Sequence, residues 1–580
     1  MPYINFKNTF DRTPKVLIEK NNQIVTGYPS ITTVLSKHQE VRILAIETYP
    51  GVHKEEILKH LIHQLNPNHI IDAETIFIDD FAFESFFKSY ITDSRVFGRL
   101  YMGTFEDIID EKRLVEVRNQ IKNMSGLIVI YGVGASLIAD QDLLIYADLA
   151  RWEIQKRFRN GQPNWKTNNP DEDKLRKFKR GYFVEWRMAD RLKKKLFDKI
   201  DYLLDTNISN TPKLLLGEHY RKGLAQTVNQ PFRLVPYYDA GVWGGQWMKE
   251  VCDLDKNQEN YAWSFDGVPE ENSLYLQYGS EHIEIPAINV VLYKPVELLG
   301  NKVYHQYGAE FPIRFDFLDT MGGQNLSLQV HPSKAYIKEN FGMKFTQDES
   351  YYILDCKPDA RVYLGLKNDI DPKEMIDELI QANQQGTIFP DEKFINQFPV
   401  KKHDHISIPA GTVHCSGTDT MVLEISSTPY IFTFKLWDWD RVGLDGIPRP
   451  INIEHGIKNI NWDWNTDWVN KHLMNQIDII EENDDIIIEK TGLHDLEPIE
   501  TLRYTSNKKM FHSSHGTVSV LNLVEGKEAI VESPTDAFPP MIIHYAETFI
   551  VPAHVGSYTI TPYGRSQGQT IKLIKAFIRQ

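Results

Sequence analysis

At 580 residues the chain is longer than one hydrophobic core usually supports, so two to four domains are expected, and 42% hydrophobic with 25% charged residues excludes a disordered or fibrous protein. A formal charge of −15, with no long Lys/Arg run against it, opposes a phosphodiester backbone and excludes nucleic acid as the expected partner, leaving a small molecule. No apolar run reaches the length of about 18 residues that a membrane span needs, and the opening MPYINFKNTFDR lacks the apolar stretch of a secretory signal. Cys252, Cys356 and Cys415 have no CxxC spacing, which fits a reducing compartment. The expected setting is therefore the cytoplasm, away from membranes.

In chain order, residues 1–210 alternate short apolar runs with helical stretches, as in a parallel sheet flanked by helices. VRILAIE (41–47), TIFIDDF (75–81), GLIVIYGVG (126–134) and KIDYLLDT (199–206) read as buried strands. KEEILKHLIHQL and DEKRLVEVRNQIKN carry apolar residues at helical spacing. After Asn210 the texture changes to Gly, Pro, aromatics and short β-rich runs, the pattern of sheets closing into barrels. These runs include FPIRFDFLD, LSLQVHP, SYYILDC, ARVYLGL, ISIPAG and MVLEIS. Helix-favouring intervals at about 368–400 and 450–480 interrupt them. A second β-rich set starts near Thr517, and ISIPAGTVH and FIVPAHVGSY both end a strand on Pro-Ala, which suggests two related barrels, 211–516 and 517–580.

Three segments carry the chemistry: Leu326–Pro332, Glu349–Ile353 and Ile408–His414. In LSLQVHP, Gln329 and His331 are two residues apart, so one strand presents both side chains on one face. Glu349 adds a carboxylate from another strand, and His414 adds a second imidazole beyond a Pro-Gly turn. Two His, one Glu and a carbonyl oxygen suit Zn²⁺ with positions left open for substrate. Singly, such residues are more often surface carboxylates or satisfied histidines.

The same strings resemble the class I mannose-6-phosphate isomerases. That family runs approximately FPLLIKxLD, LSVQVHP, KxExWYIL, IPAGTxHxxG, LEIQQ and TYRVYDYDR; this chain reads FPIRFDFLD, LSLQVHP, QDESYYIL, IPAGTVHCSG, LEISS and TFKLWDWDR. VPYYDAGVWGG (235–245), YAWSFDG (261–267) and GIPRPINIEHGIKNI extend the likeness over nearly all of residues 230–580. The resemblance implies a double cupin of jelly-roll barrels with a small helical insertion. It implies a metal held by His331, Glu349 and His414 with Gln329 as fourth ligand, and Ser327 facing the same cavity. The implied activity is a zinc-dependent isomerase interconverting mannose 6-phosphate and fructose 6-phosphate, or a related sugar phosphate, through an enediol. Glu424 stands at the family's LEI glutamate, either as an acid/base residue or as a carboxylate orienting neighbouring strands.

Three basic positions of the family differ: Asp316 and Gln347 replace lysines, and Lys435 replaces an arginine. A phosphate dianion needs cations or oriented donors. Arg314, on the strand face of Asp316, and Arg441 are the expected substitutes, with Lys344 as another source of charge and Lys435 as the retained cation beside the substrate. The alternative is a non-catalytic sugar-phosphate-binding regulatory protein.

In the amino-terminal domain, VRILAIE followed by Thr48-Tyr-Pro-Gly-Val-His-Lys-Glu55 has the context of a phosphate-binding P-loop, but only Gly51 and Lys54 fit its pattern. With IFIDDF, LIVIYG and ADLARWEIQKRF, the domain resembles the uridine kinase group in degenerate form. The missing glycines oppose ATP use. Such a domain would bind a regulatory nucleotide or support a homodimer; Asp79 and Asp80 read as a solvated strand end.

Overall fold

Ile43–Thr48 and Ile128–Gly132 are buried along their whole length, as strands covered on both faces must be. In the computed structural model, which describes residues 2–428, 430 and 432–579, they lie side by side in a seven-stranded sheet. Its spatial order is Val25–Thr26, Lys213–Leu216, Tyr202–Asp205, Leu143–Asp148, Ile43–Thr48, Ile128–Gly132, His69–Asp72. The five strands from Tyr202–Asp205 to His69–Asp72 run parallel; Lys213–Leu216 pairs antiparallel with Tyr202–Asp205, and Val25–Thr26 pairs antiparallel with Lys213–Leu216. Helical residues Lys54–Leu65 and helix Glu111–Asn123, the latter capped by Asp110, follow the expected amphipathic stretches.

One expected strand of this sheet is corrected. TIFIDDF is not extended: Asp72 accepts from Glu74 N and opens a 3₁₀ turn over Ala73–Ile76, and Asp79 then accepts from Ala82 N as cap of helix Asp80–Ile91. The apolar residues that suggested a strand are core contacts of these turns, with Phe77 edge-on to Trp165 at 5.2 Å. The strand in its place is His69–Asp72, and Leu143–Asp148 is a strand the periodicity did not single out.

The first compact unit comprises residues 15–227 and 273–294. Lys15–Glu19 pairs in parallel with Ser273–Tyr278, which turns back into Glu281–Pro286. The expected boundary after residue 210 is thus displaced: Lys213–Leu216 completes the sheet, and a later hairpin returns to it.

The second unit, residues 2–14, 228–272 and 295–579 among those described, holds two antiparallel double-sheet barrels. In the first, a six-stranded sheet runs His405–Ile408, Glu349–Cys356, Thr420–Ser426, Arg314–Asp319, Trp263–Phe265, Tyr237–Asp239. Its partner sheet runs Ile395–Pro399, Arg361–Leu366, His414–Ser416, Leu328–Val330, Phe434–Trp437. Helices Pro372–Gln385 and Thr466–His472 supply the helical insertion, but Ile477–Glu482, expected at its end, is a strand.

The second barrel begins at that strand rather than near Thr517. Its six-stranded sheet takes Ile477–Glu482, Ile486–Thr491 and Ile499–Ser506 before Ile571–Ile578, Ser519–Glu525 and Thr548–Val551. Met510–Ser513, Ser557–Pro562, Glu528–Glu532 and Met541–His544 form the facing sheet. Leu521, Leu573 and Phe549 from one sheet pack with Val531, Ile543 and Ile560 from the other. Among the described residues no helix is long and apolar enough to cross a membrane.

Candidate metal centre

Alternation along LSLQVHP places Gln329 and His331 on one face, and the ladder sets Gln329 opposite His414 on one side and Lys435 on the other. His414 reaches that row through the turn Pro409–Thr412, where Thr412 N and Oγ1 both donate to Pro409 O. Gly411 takes φ 101 there, a value that favours glycine, and its N–H donates to His331 O at 3.1 Å. The turn that delivers one histidine is therefore tied to the backbone of the other. From the facing sheet, Glu349 lies opposite Ser426 at the start of its strand.

The three side chains converge with no exposure to solvent. His331 Nε2 is 3.1 Å from Glu349 Oε2, and His414 Nε2 is 2.9 Å from Glu349 Oε1. One ligand atom from each of the three lies within 4.8 Å of the others. Yet His331 Nε2 and Glu349 Oε1 make no hydrogen bond among the described residues. The tautomers explain this. His331 Nδ1 meets Phe432 O at 3.0 Å and His414 Nδ1 meets Thr412 O at 2.9 Å, so each Nδ1 carries the proton that a carbonyl must accept. Each Nε2 then faces a carboxylate oxygen, a contact that is attractive only with a proton or a metal cation between the two atoms. The donor set of two imidazoles and a carboxylate fits Zn²⁺. Burial alone would raise the Glu349 carboxyl, but His331 and then His414 outweigh it and hold it well below the usual carboxylate range.

Gln329 Nε2 lies 3.2 Å from His414 Nε2, and half a turn of its amide would put the carbonyl oxygen there instead. Lys435, paired with Gln329 across the ladder, shares its face. Gln347 and Tyr351 were not picked out as site residues. Gln347 Nε2 donates to Glu349 Oε2 at 2.7 Å and to Glu424 Oε1 at 3.1 Å, while its Oε1 accepts from Phe432 N at 2.8 Å. Its place two residues before Glu349, where alternation returns to the same face, was the available signal. The Tyr351 ring stands edge-on to His414 at 5.8 Å.

Glu424 pairs across the sheet with Asp316 on one side and Tyr351 on the other. Burial, then the Glu349 and Asp316 carboxylates, push its carboxyl well above the usual range. Arg314 is fully buried and ion-paired through Nε with Asp316, its guanidinium 4.6 Å over the Phe265 ring, while Nη1 and Nη2 make no hydrogen bond among the described residues. Burial raises Asp316 to about 7 against the pull of Arg314.

Ser327 and Arg441 belong to a different network. Ser327 Oγ donates to Asp438 Oδ1 at 2.7 Å, and Arg441 is held by Asp438 Oδ1 at 2.7 Å and Asn325 O at 2.6 Å. Arg449 joins the same carboxylate at 3.1 Å. Lys344 pairs with Glu310 at 3.5 Å.

In the first unit, the loop after Ile43–Thr48 is filled by its own neighbours. Lys54 Nζ is 3.1 Å from Asp72 and 2.8 Å from Glu74, and Gly51 O accepts from Arg157 and Gln162, each at 3.0 Å. Asp79 serves as a helix cap, and Asp80 meets Lys166 at 3.3 Å, so neither ends a strand.

Residues 27–229 match the family described as "Domain of unknown function (DUF8485)". Mannose-6-phosphate isomerase ManA of Bacillus subtilis (strain 168) is 24% identical over 238 residues, which cover 40% of this chain and 68% of that protein. Probable mannose-6-phosphate isomerase GmuF of the same organism is 30% identical over 153 residues, 26% of this chain and 45% of that protein. The crystal structure of the mannose 6-phosphate isomerase from Bacillus subtilis superposes with a TM-score of 0.48 at 20% identity, covering 60% of this chain and 99% of that one. The chain thus matches about two thirds of one curated relative and less than half of the other. Together with the buried His/Glu/His cluster, these relatives support a phosphomannose-isomerase-like cupin domain in this chain.

Proposed function

We propose that the first barrel is a zinc-dependent aldose–ketose isomerase acting on mannose 6-phosphate and fructose 6-phosphate. The observation that carries the reading is the buried convergence of His331 Nε2, His414 Nε2 and the Glu349 carboxylate, with His331 Nε2 and Glu349 Oε1 making no hydrogen bond among the described residues. Relatives named as mannose-6-phosphate isomerases supply the substrate class. His331, Glu349 and His414 would hold the metal, with Gln329 turning its carbonyl inward as fourth ligand. Bound there, zinc polarises a carbonyl or hydroxyl oxygen of the sugar.

The chain's own residues do the rest. Glu424, whose burial favours the protonated form, would exchange a proton with the substrate, and Gln347 fixes it relative to Glu349. Lys435, on the face of Gln329, offers a cation at the rim of the site. Arg314 offers two unbonded N–H groups two strands from Glu349, across Ser426, or about 10 Å at ordinary strand spacing. That separation suits a ligand with its reacting end at the metal and its phosphate at Arg314.

A second reading is favoured by the Arg314–Asp316 pair, because a guanidinium already neutralised by a carboxylate binds a dianion less strongly. In that reading the barrel binds a sugar phosphate without turning it over and serves regulation. Metal analysis with an assay of mannose 6-phosphate to fructose 6-phosphate conversion, on wild type and His331→Ala, separates the two. One equivalent of zinc with turnover, both lost in the variant, supports the isomerase; zinc without turnover supports the binding protein. Absence of metal from the wild type would sink both.

A further inference from the structure

The second barrel buries an amine that no carboxylate balances. Ile571 and Leu573 point into its core, and Lys575, next in the same alternation, is 2% exposed. Its Nζ donates to Ser513 O at 2.7 Å, and no carboxylate among the described residues pairs with it. Nζ lies 5.6 Å from the Tyr558 ring and 5.7 Å from the Phe577 ring. Such contacts return less than the burial of an unpaired charge costs.

The groups around the amine are also unsatisfied. His512 is 6% exposed and packs between Tyr504, 4.5 Å away, and Tyr558, 5.2 Å away. Neither of its ring nitrogens has a hydrogen-bond partner among the described residues, nor do Tyr558 OH and Ser519 Oγ. The ladders bring these residues together. His512 pairs with Tyr558, Lys575 pairs with Leu521, and Ser519 lies two residues from Leu521 on the same face. Each orphaned group is destabilising when nothing answers it. Burial draws the Lys575 amine down to about 8; burial and then Lys575 draw His512 down to about 3.

An ammonium, an imidazole N–H and two hydroxyls, with no acid among them, form a donor set that suits an anion and repels a metal. We propose that the interior of the second barrel binds a small oxyanion, with Lys575 as its charge partner and His512, Tyr558 and Ser519 donating hydrogen bonds to it. Leu521, Leu573 and Phe549 pack in the same core, so the ligand argued for is a small one, a phosphate or a short-chain carboxylate. The site is independent of the His331–Glu349–His414 cluster and stands whether or not that cluster catalyses anything.

The test uses the full chain at pH 7 and constant ionic strength, with the thermal midpoint followed as sodium phosphate, acetate or chloride is added. Wild type and His331→Ala should both rise saturably with phosphate or acetate and not with chloride; which anion acts identifies the source. Lys575→Met should lose the response while keeping wild-type metal content, and His512→Phe should weaken it at least tenfold. Should Lys575→Met not fold, broadening of the free-phosphate ³¹P line by wild type but not by His512→Phe gives the same answer. An unchanged response in Lys575→Met, or no response of wild type to either oxyanion, would overturn the proposal.

Discussion

His331 Nε2 and Glu349 Oε2 stand 3.1 Å apart with no access to solvent, yet the imidazole nitrogen makes no hydrogen bond. A divalent cation placed between these atoms would draw both onto itself. Chelation should therefore destabilise the protein, and zinc at 1,000 times its Kd should restore about 4 kcal/mol. His331→Ala should show neither effect. Calorimetry with and without chelator, alongside metal content, checks this.

Gln347 holds Glu349 and Glu424 through a single amide nitrogen. Gln347→Leu keeps the volume and removes the donor, so metal affinity should fall about 10- to 100-fold with the ligands intact. Competition with a zinc indicator measures it; an unchanged Kd would mean that Gln347 does not orient the carboxylate.

The Arg314–Asp316 pair is buried at both ends. Asp316→Asn leaves the guanidinium charge uncompensated and should cost about 3–5 kcal/mol in urea unfolding, with much of the loss recovered in Arg314→Met/Asp316→Asn. If the single variant folds, it should bind mannose 6-phosphate more tightly than wild type, because Arg314 is then free for the phosphate.

His405 bridges Thr491 Oγ1 at 2.8 Å and Ser350 Oγ at 2.9 Å, and burial, then Arg503, lower its pKa to about 3. Unfolded, the same imidazole takes a proton near 6.5. Below 6.5 the unfolded chain binds a proton that the fold refuses, so stability falls with pH from about 6.5 toward 3, by up to about 1.4 kcal/mol per unit. His405→Gln should flatten that slope in denaturant titrations at pH 6.5, 5.5 and 4.5.

With Lys54 occupied by Asp72 and Glu74, MgATP should leave the thermal midpoint of the full chain unchanged. A saturable rise would show that the loop can open.

The convergence of His331, Glu349 and His414 was legible because it rests on local rules: alternation sets Gln329 and His331 on one face, and a Pro-Ala-Gly turn delivers His414. What the sequence hid was pairing between distant segments. Ser327 and Arg441 carry the right chemistry, but Asp438, 111 residues beyond Ser327, engages both. Arg314 was expected to serve the substrate, and its neighbour on the same strand face, Asp316, takes its charge first. TIFIDDF has strand composition, but Asp72 just before it and Asp79 within it cap helical turns, and capping overrode propensity. The second barrel starts near residue 477 because Ile477–Thr491 forms a hairpin on its sheet edge, a partnership that composition alone does not reveal.

Residues 273–294 leave the barrel-bearing unit and return to it, after the chain has already passed between the units near residues 14 and 227. The polypeptide is thus threaded through both bodies rather than strung as beads, and no single cut yields either one whole. A fragment ending at residue 227 would strand Lys15–Glu19 without the segment it pairs with, Ser273–Tyr278. Expressing either body alone therefore calls for rejoining its separated segments rather than truncating the chain.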